Sequence, residues 1–75
     1  MQRLDLHRVR HADARNLVIR FLEDNWDSGE EVEIITGNSP AMQDVATAVL
    51  SEYSLDYQVG RRFDMNKGYL VVRMD

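Results

Sequence analysis

The sequence predicts a two-layer α/β (α+β) domain of order β-α-β-α-β-β, a four-stranded mixed sheet with two helices on one face. Three observations carry that prediction. Two stretches, Ala14 to Leu22 and Met42 to Tyr53, place apolar residues at helical spacing. Four short stretches alternate in polarity or are rich in β-branched residues, and each of the first two precedes a helix. Strand-helix-strand succession implies parallel pairing with right-handed crossovers, which puts both helices over the same face.

The first strand is expected over residues 2–7. Within it, Leu4-Asp5-Leu6-His7 alternates, so Asp5 and His7 would share one face and Leu4 and Leu6 the other. The alternation alone is what any half-buried strand displays. Arg8-Val9-Arg10-His11 reads as a loop, and the first helix begins near Ala12 with Ala14, Leu17, Val18, Phe21 and Leu22 on one stripe. Asp27-Ser28-Gly29 breaks it, with Gly29 suited to a left-handed position.

Glu31 to Thr36 is the second strand, alternating and then β-branched, as suits an interior parallel position. Gly37-Asn38-Ser39-Pro40 is a strand-to-helix turn. Ser39 fits the N-cap and Pro40 the first helical position, ahead of Met42, Val45, Ala46, Val49, Leu50 and Tyr53. Leu55 to Val59 is the third strand, with Gly60 a candidate bulge. Residues 64–68 have turn chemistry, and Tyr69 to Met74 is the fourth strand, closing a hairpin with the third.

A chain of 75 residues forms one domain, residues 1–75, and at this size buries only about 60% of its unfolded surface. It has no cysteine, which excludes disulfides and thiolate metal sites and suits a cytoplasmic location. The N-terminus has no apolar run for a signal peptide, and no stretch approaches the roughly 20 apolar residues of a membrane span. The net charge of -4 is unevenly distributed: residues 1–20 carry +3, residues 21–60 carry nine acids and no Lys or Arg, and residues 61–75 carry +2. If the two ends of the chain meet in space, their cations form a local anion-attracting surface despite the acidic total.

In parallel α/β sheets ligands gather beyond the carboxyl ends of the strands, where both His7 and Thr36-Gly37 are expected. These residues also carry a resemblance. The chain resembles the Smr domain, a module named for its relation to a MutS-type mismatch-repair protein, over nearly all of its length. Leu4-Asp5-Leu6-His7 stands where that family carries LDLH, and Ile34-Ile35-Thr36-Gly37-Asn38, about 30 residues on, stands where it carries a strand ending in an HGxG loop. The closing hairpin with a glycine before the last strand, Gly68-Tyr69-Leu70-Val71-Val72, agrees as well. The resemblance implies a fold similar to the C-terminal domain of translation initiation factor 3, sheet order 1-2-4-3, nucleic acid (DNA or RNA) as partner, and in many members endonuclease activity. The chain departs from the pattern at three positions: Arg8 replaces the usual Gly after LDLH, Thr36 replaces the His of HGxG, and Ser39 replaces its second Gly.

The candidate catalytic residues are therefore Asp5 and His7. His7 would transfer the proton, because imidazole titrates near neutrality, and Asp5 would orient the ring or hold a divalent ion. The candidate nucleic-acid-binding residues are Thr36, Gly37, Asn38 and Ser39 with Arg8, Arg10, Arg61 and Arg62, which would neutralise phosphate. No metal site or cofactor is otherwise predicted, since two His and scattered acids lack ligand spacing. With Thr36 in place of an imidazole, hydrolysis is expected to be weakened or lost. A non-catalytic nucleic-acid or ribonucleoprotein module, or an adaptor acting through the acidic second quarter, are the alternatives. Trp26 is expected at the core or its edge, and Tyr57, Phe63 and Tyr69 are expected to be packed.

Overall fold

The computed structural model describes residues 2–74; Met1 and Asp75, the ends of the predicted domain, lie outside the described residues. The elements are β1 (Arg3–Asp5), α1 (His11–Asp24), β2 (Glu31–Ile35), α2 (Pro40–Glu52), β3 (Tyr57–Val59) and β4 (Tyr69–Arg73). They form a four-stranded mixed sheet in the order β1-β2-β4-β3. β1 runs parallel to β2, with Leu4 opposite Ile34. β4 lies antiparallel between β2 and β3, with Leu70 opposite both Ile34 and Val59. β1, β2 and β3 consequently point the same way, and their carboxyl ends share one edge.

Polarity alternation sets the faces. Val32, Ile34, Leu70 and Val72 point inward and are buried with Ala14, Val18 and Leu22 of α1 and Met42, Ala46, Val49 and Leu50 of α2, so both helices cover one face. Each fully buried Leu, Ile or Val in this cluster contributes about 1.5–3 kcal/mol relative to exposure. The other face, with Arg3, Glu31, Glu33 and Arg73, is open. Across the helix layer, Arg15 makes a bidentate pair with Glu52 at 2.6 and 2.8 Å.

β2 and β4 end one residue short of expectation, at Ile35 and Arg73, while β1 and β3 depart further because local turn chemistry takes over. β1 ends at Asp5, not His7. The Asp5 carboxylate accepts the His7 backbone N–H at 2.8 Å, the Val9 N–H donates to the Leu6 carbonyl at 3.0 Å, and Arg8 adopts φ +69°, which turns the chain into α1. His7 therefore sits in a turn, and α1 starts at His11 with Arg10 as an N-cap that makes no side-chain bond. β3 begins at Tyr57, not Leu55, because Ser54 and Leu55 close α2: their N–H groups donate to the carbonyls of Ser51 and Leu50, and Ser54 takes φ +56°. That is a Schellman ending with Ser where Gly is usual. At the other end of β3, Gly60 (φ +67°) opens a loop to Gly68 and does not bulge a continuing strand. The start of α2 is as expected, with Pro40 at its first turn and the Ser39 hydroxyl accepting the Met42 N–H at 3.2 Å.

Candidate functional site

Three turns meet at the shared strand edge: Leu6 to Val9 after β1, Thr36 to Ser39 after β2, and the 60–68 loop after β3. The second and third are stitched together by backbone. The N–H groups of Thr36 and Gly37 both donate to the Gly68 carbonyl, at 3.0 and 2.9 Å. Thr36 continues the inward alternation of Val32 and Ile34 and is the one buried polar residue among those described. Its hydroxyl donates to the Gly37 carbonyl at 2.9 Å, with the Gly68 carbonyl 3.4 Å away. It thus closes the junction from inside and does not face solvent. The first and second turns are joined through the β1–β2 ladder, where the Leu6 N–H donates to the Ile35 carbonyl at 2.8 Å.

The 60–68 loop is held by polar contacts throughout. Lys67 Nζ donates to the Arg61 carbonyl, the Arg61 N–H donates to the Tyr69 hydroxyl at 2.9 Å, and that hydroxyl donates to Asp64. Asn66 Oδ1 accepts the Gly68 N–H at 3.0 Å, and Gln43 of α2 donates to the Lys67 carbonyl at 3.3 Å. Burial, and after it the bond to Asp64, raises the Tyr69 pKa above its ordinary value, keeping the phenol protonated as a donor.

Among the described residues, unpaired cations and helix N-termini collect at the turn edge, although Asp5, Asp13 and Asp64 also lie there and Arg73 ends β4 at the opposite edge. At the turn edge, Arg8, Arg10 and Arg62 are exposed and make no ion pair among the described residues. Both helices begin there, so their positive dipole ends add to the same field. At the opposite end, α1 finishes in Glu23-Asp24 and α2 in Glu52, neither helix has a basic residue in its last turn, and Asp27, Glu30 and Asp56 follow close by in the chain.

The predicted residues separate into groups. His7 is exposed in the first turn, and the carboxylate of Asp5 is engaged by the backbone of His7, fixing the turn that carries the imidazole. Gly37, Asn38 and Ser39 form the second turn, where the amides of Asn38 and Ser39 have no protein partner among the described residues. Arg61 lies on the open face of the sheet. Its guanidinium reaches Glu33 at 3.2 Å and Glu31 at 3.4 Å, and the Glu33 bond, then Glu31, holds its pKa above the ordinary value. Arg3 reaches Glu33 at 3.0 Å. The basic ends of the chain thus do meet in space, across a shared carboxylate. Trp26 is 54% exposed, against the expectation of a packed residue, and its contact is with the Tyr53 ring, 5.9 Å away in edge-to-face geometry. Tyr69 is half-buried, but Tyr57 is exposed at the outer strand and Phe63 is 83% exposed, against expectation. Sequence reasoning did not find Asn66 and Gln43 as clasps of the third turn, since neither contact has a local pattern.

A family model described as the Smr domain matches residues 4–75, from the strand that holds Asp5 to the end of the closing hairpin. The chain belongs to the Smr domain family. No curated protein and no solved structure matches it. The Smr family is associated with nucleic-acid binding and nuclease activity. In this Smr domain the two motif segments, ending at His7 and at Ser39, are adjacent parallel strand ends, and the third turn is bonded to the second.

Proposed function

We propose that this Smr domain binds the phosphate backbone of DNA or RNA across the three-turn edge and that its capacity for hydrolysis is weak or lost. The observation that supports it is the coincidence, at one edge, of the exposed Arg8, Arg10 and Arg62, two helix N-termini and the partnerless amides of Asn38 and Ser39, where the nearby Asp5 and Asp64 carboxylates are already engaged by the His7 N–H and the Tyr69 hydroxyl. Guanidinium groups and oriented amides are suited to phosphate oxygens, and a local cluster of them can bind a polyanion despite a net charge of -4.

Hydrolysis of a phosphodiester needs a proton taken from the attacking oxygen and one given to the leaving oxygen. His7 supplies an exposed imidazole for one of these transfers, with Asp5 holding its backbone in place, and His11, exposed at the start of α1, is the one other imidazole of the chain. The Thr36 hydroxyl is spent on the Gly37–Gly68 junction, so the second turn offers amides and no second acid or base. Loss of one acid-base group typically lowers a rate by about 10² to 10⁴.

The test is binding and cleavage of a panel of DNA and RNA substrates, with and without divalent ions. Binding is expected to weaken with salt, with a log-log slope of about -2 to -3 on duplex DNA, as three phosphate contacts require. Neutralising Arg8, Arg10 and Arg62 together should flatten it, and salt-independent binding would refute the reading. Any cleavage should be slow and vanish in His7→Ala. Cleavage that survives the substitution removes His7 from the chemistry, and robust turnover refutes the weakened state.

A further inference from the structure

The 60–68 loop exposes Phe63 to 83% and Met65 to 99% of their surface, and no other residue is as exposed among the large hydrophobics described. Neither side chain is needed to hold the loop. The loop is fastened by Asp64 to Tyr69, by Lys67 to the Arg61 carbonyl, by Asn66 to Gly68 and by Gln43 to Lys67. Asp64 lies between Phe63 and Met65 in sequence and is half-buried against Tyr69, while its two neighbours are exposed. An anchored loop that presents two large apolar groups to water has area available for an apolar surface elsewhere.

The surroundings select the kind of surface. Arg62, next to Phe63, is exposed, and Gly68 at the loop's end is bonded to Thr36 and Gly37 of the phosphate-suited turn. Apolar groups beside cations, on the edge where helix N-termini open, suit a polymer that alternates flat apolar faces with anionic links. A continuous duplex hides those faces by stacking, whereas unpaired or unstacked bases offer them to an aromatic ring and a polarizable thioether.

We infer that Phe63 and Met65 contact unstacked bases, so that the ligand of this domain is single-stranded or locally unpaired nucleic acid and not a continuous duplex. The inference rests on the nucleic-acid reading above and narrows its substrate.

The test compares, by fluorescence anisotropy at fixed salt, a single-stranded oligonucleotide, a continuous duplex of the same sequence and that duplex with a central bulge. Each is titrated with wild type, Phe63→Ala, Met65→Ala and Arg62→Ala, after melting curves establish that the variants are folded. The wild type should favour the single strand and the bulge over the duplex by about tenfold or more, as one stacked base would supply. Phe63→Ala should bring that ratio close to one and Met65→Ala should reduce it, whereas Arg62→Ala should weaken binding to all three. A base analogue fluorescent in the stack should change emission with wild type and not with Phe63→Ala. Salt-dependent binding without preference, or a preference that survives both apolar substitutions, overturns this inference and leaves the backbone-binding reading standing. Absence of binding to all three overturns both. A Phe63-dependent dimer in sedimentation, with no base preference, assigns the pair to a protein contact and also overturns it.

Discussion

The backbone of Gly37 passes so close to Gly68 that a Cβ on Gly68 would sit 3.0 Å from the Gly37 carbonyl carbon and 3.2 Å from its Cα. Both obstacles are backbone, in a junction closed by two N–H bonds to the Gly68 carbonyl, so the few tenths of an ångström that a Cβ needs would strain the stitch. Gly68→Ala is expected to destabilise the domain by about 1–3 kcal/mol, as forced overpacking does. It should also weaken nucleic-acid binding beyond what the lost folded fraction explains. Denaturant unfolding at neutral pH measures the first effect, and an unchanged midpoint would contradict the close approach.

Arg8 occupies a left-handed conformation, φ +69°, that costs a residue with a Cβ about 1–2 kcal/mol. Arg8→Gly should raise stability by up to about 1 kcal/mol, part of the gain being lost to the freer unfolded chain. The same substitution removes an exposed guanidinium from the edge, so affinity for nucleic acid should fall severalfold. Stability and binding are expected to move in opposite directions in one variant, and joint loss of both would show that the Arg8 side chain supports the fold.

Ser54 is the αL residue of the α2 ending, at φ +56°. Ser54→Gly should retain both closing bonds, from the N–H groups of residues 54 and 55, and relieve the Cβ penalty. A gain of about 0.5–1 kcal/mol is expected, which for a domain of this size raises Tm by roughly 2–8 °C. Calorimetry reads it directly, and a lowered Tm would mean that the Ser54 side chain contributes more than its strain costs.

The raised pKa of Tyr69 fixes the direction of an alkaline effect. A tyrosine held above its ordinary value of about 10 contributes its stability fully below that pH and loses it as pH rises through the folded-state value. Unfolding free energy should therefore decline above about pH 10. Tyr69→Phe should lower stability at neutral pH, through the lost bonds to Asp64 and from Arg61, and flatten that alkaline decline. An identical alkaline slope in the variant would place its origin elsewhere.

Both helices, the Ser39 cap and the order of elements were legible in the sequence because they depend on periodicity and on residues with one strong local preference. The sheet order 1-2-4-3 followed from the resemblance and is the order found. What was hidden has local and long-range causes. Arg8 and Ser54 adopt left-handed conformations without the glycine that signals them, so the end of β1 and the start of β3 were each placed two residues too far into a turn. The roles of Thr36 and Arg61 depend on partners far along the chain, Gly68 for one and Glu31 and Glu33 for the other. The exposure of Phe63 follows from a loop held by Asp64 and Lys67, where apolar composition alone suggested packing.

The three turns of the edge come from residues 6–9, 36–39 and 60–68, and no two are close in the chain. They become neighbours only when β1, β2 and β4 are paired. No excised segment carries the whole edge, and partial unfolding that releases β1 or β4 dismantles it. Occupancy and cooperative unfolding are consequently one coupled equilibrium: a ligand held by all three turns adds RT ln(1 + [L]/Kd) to the unfolding free energy. Protection of the β2–β4 amides against hydrogen exchange should rise with ligand concentration by the same increment, even though those amides lie on strands that the ligand does not touch.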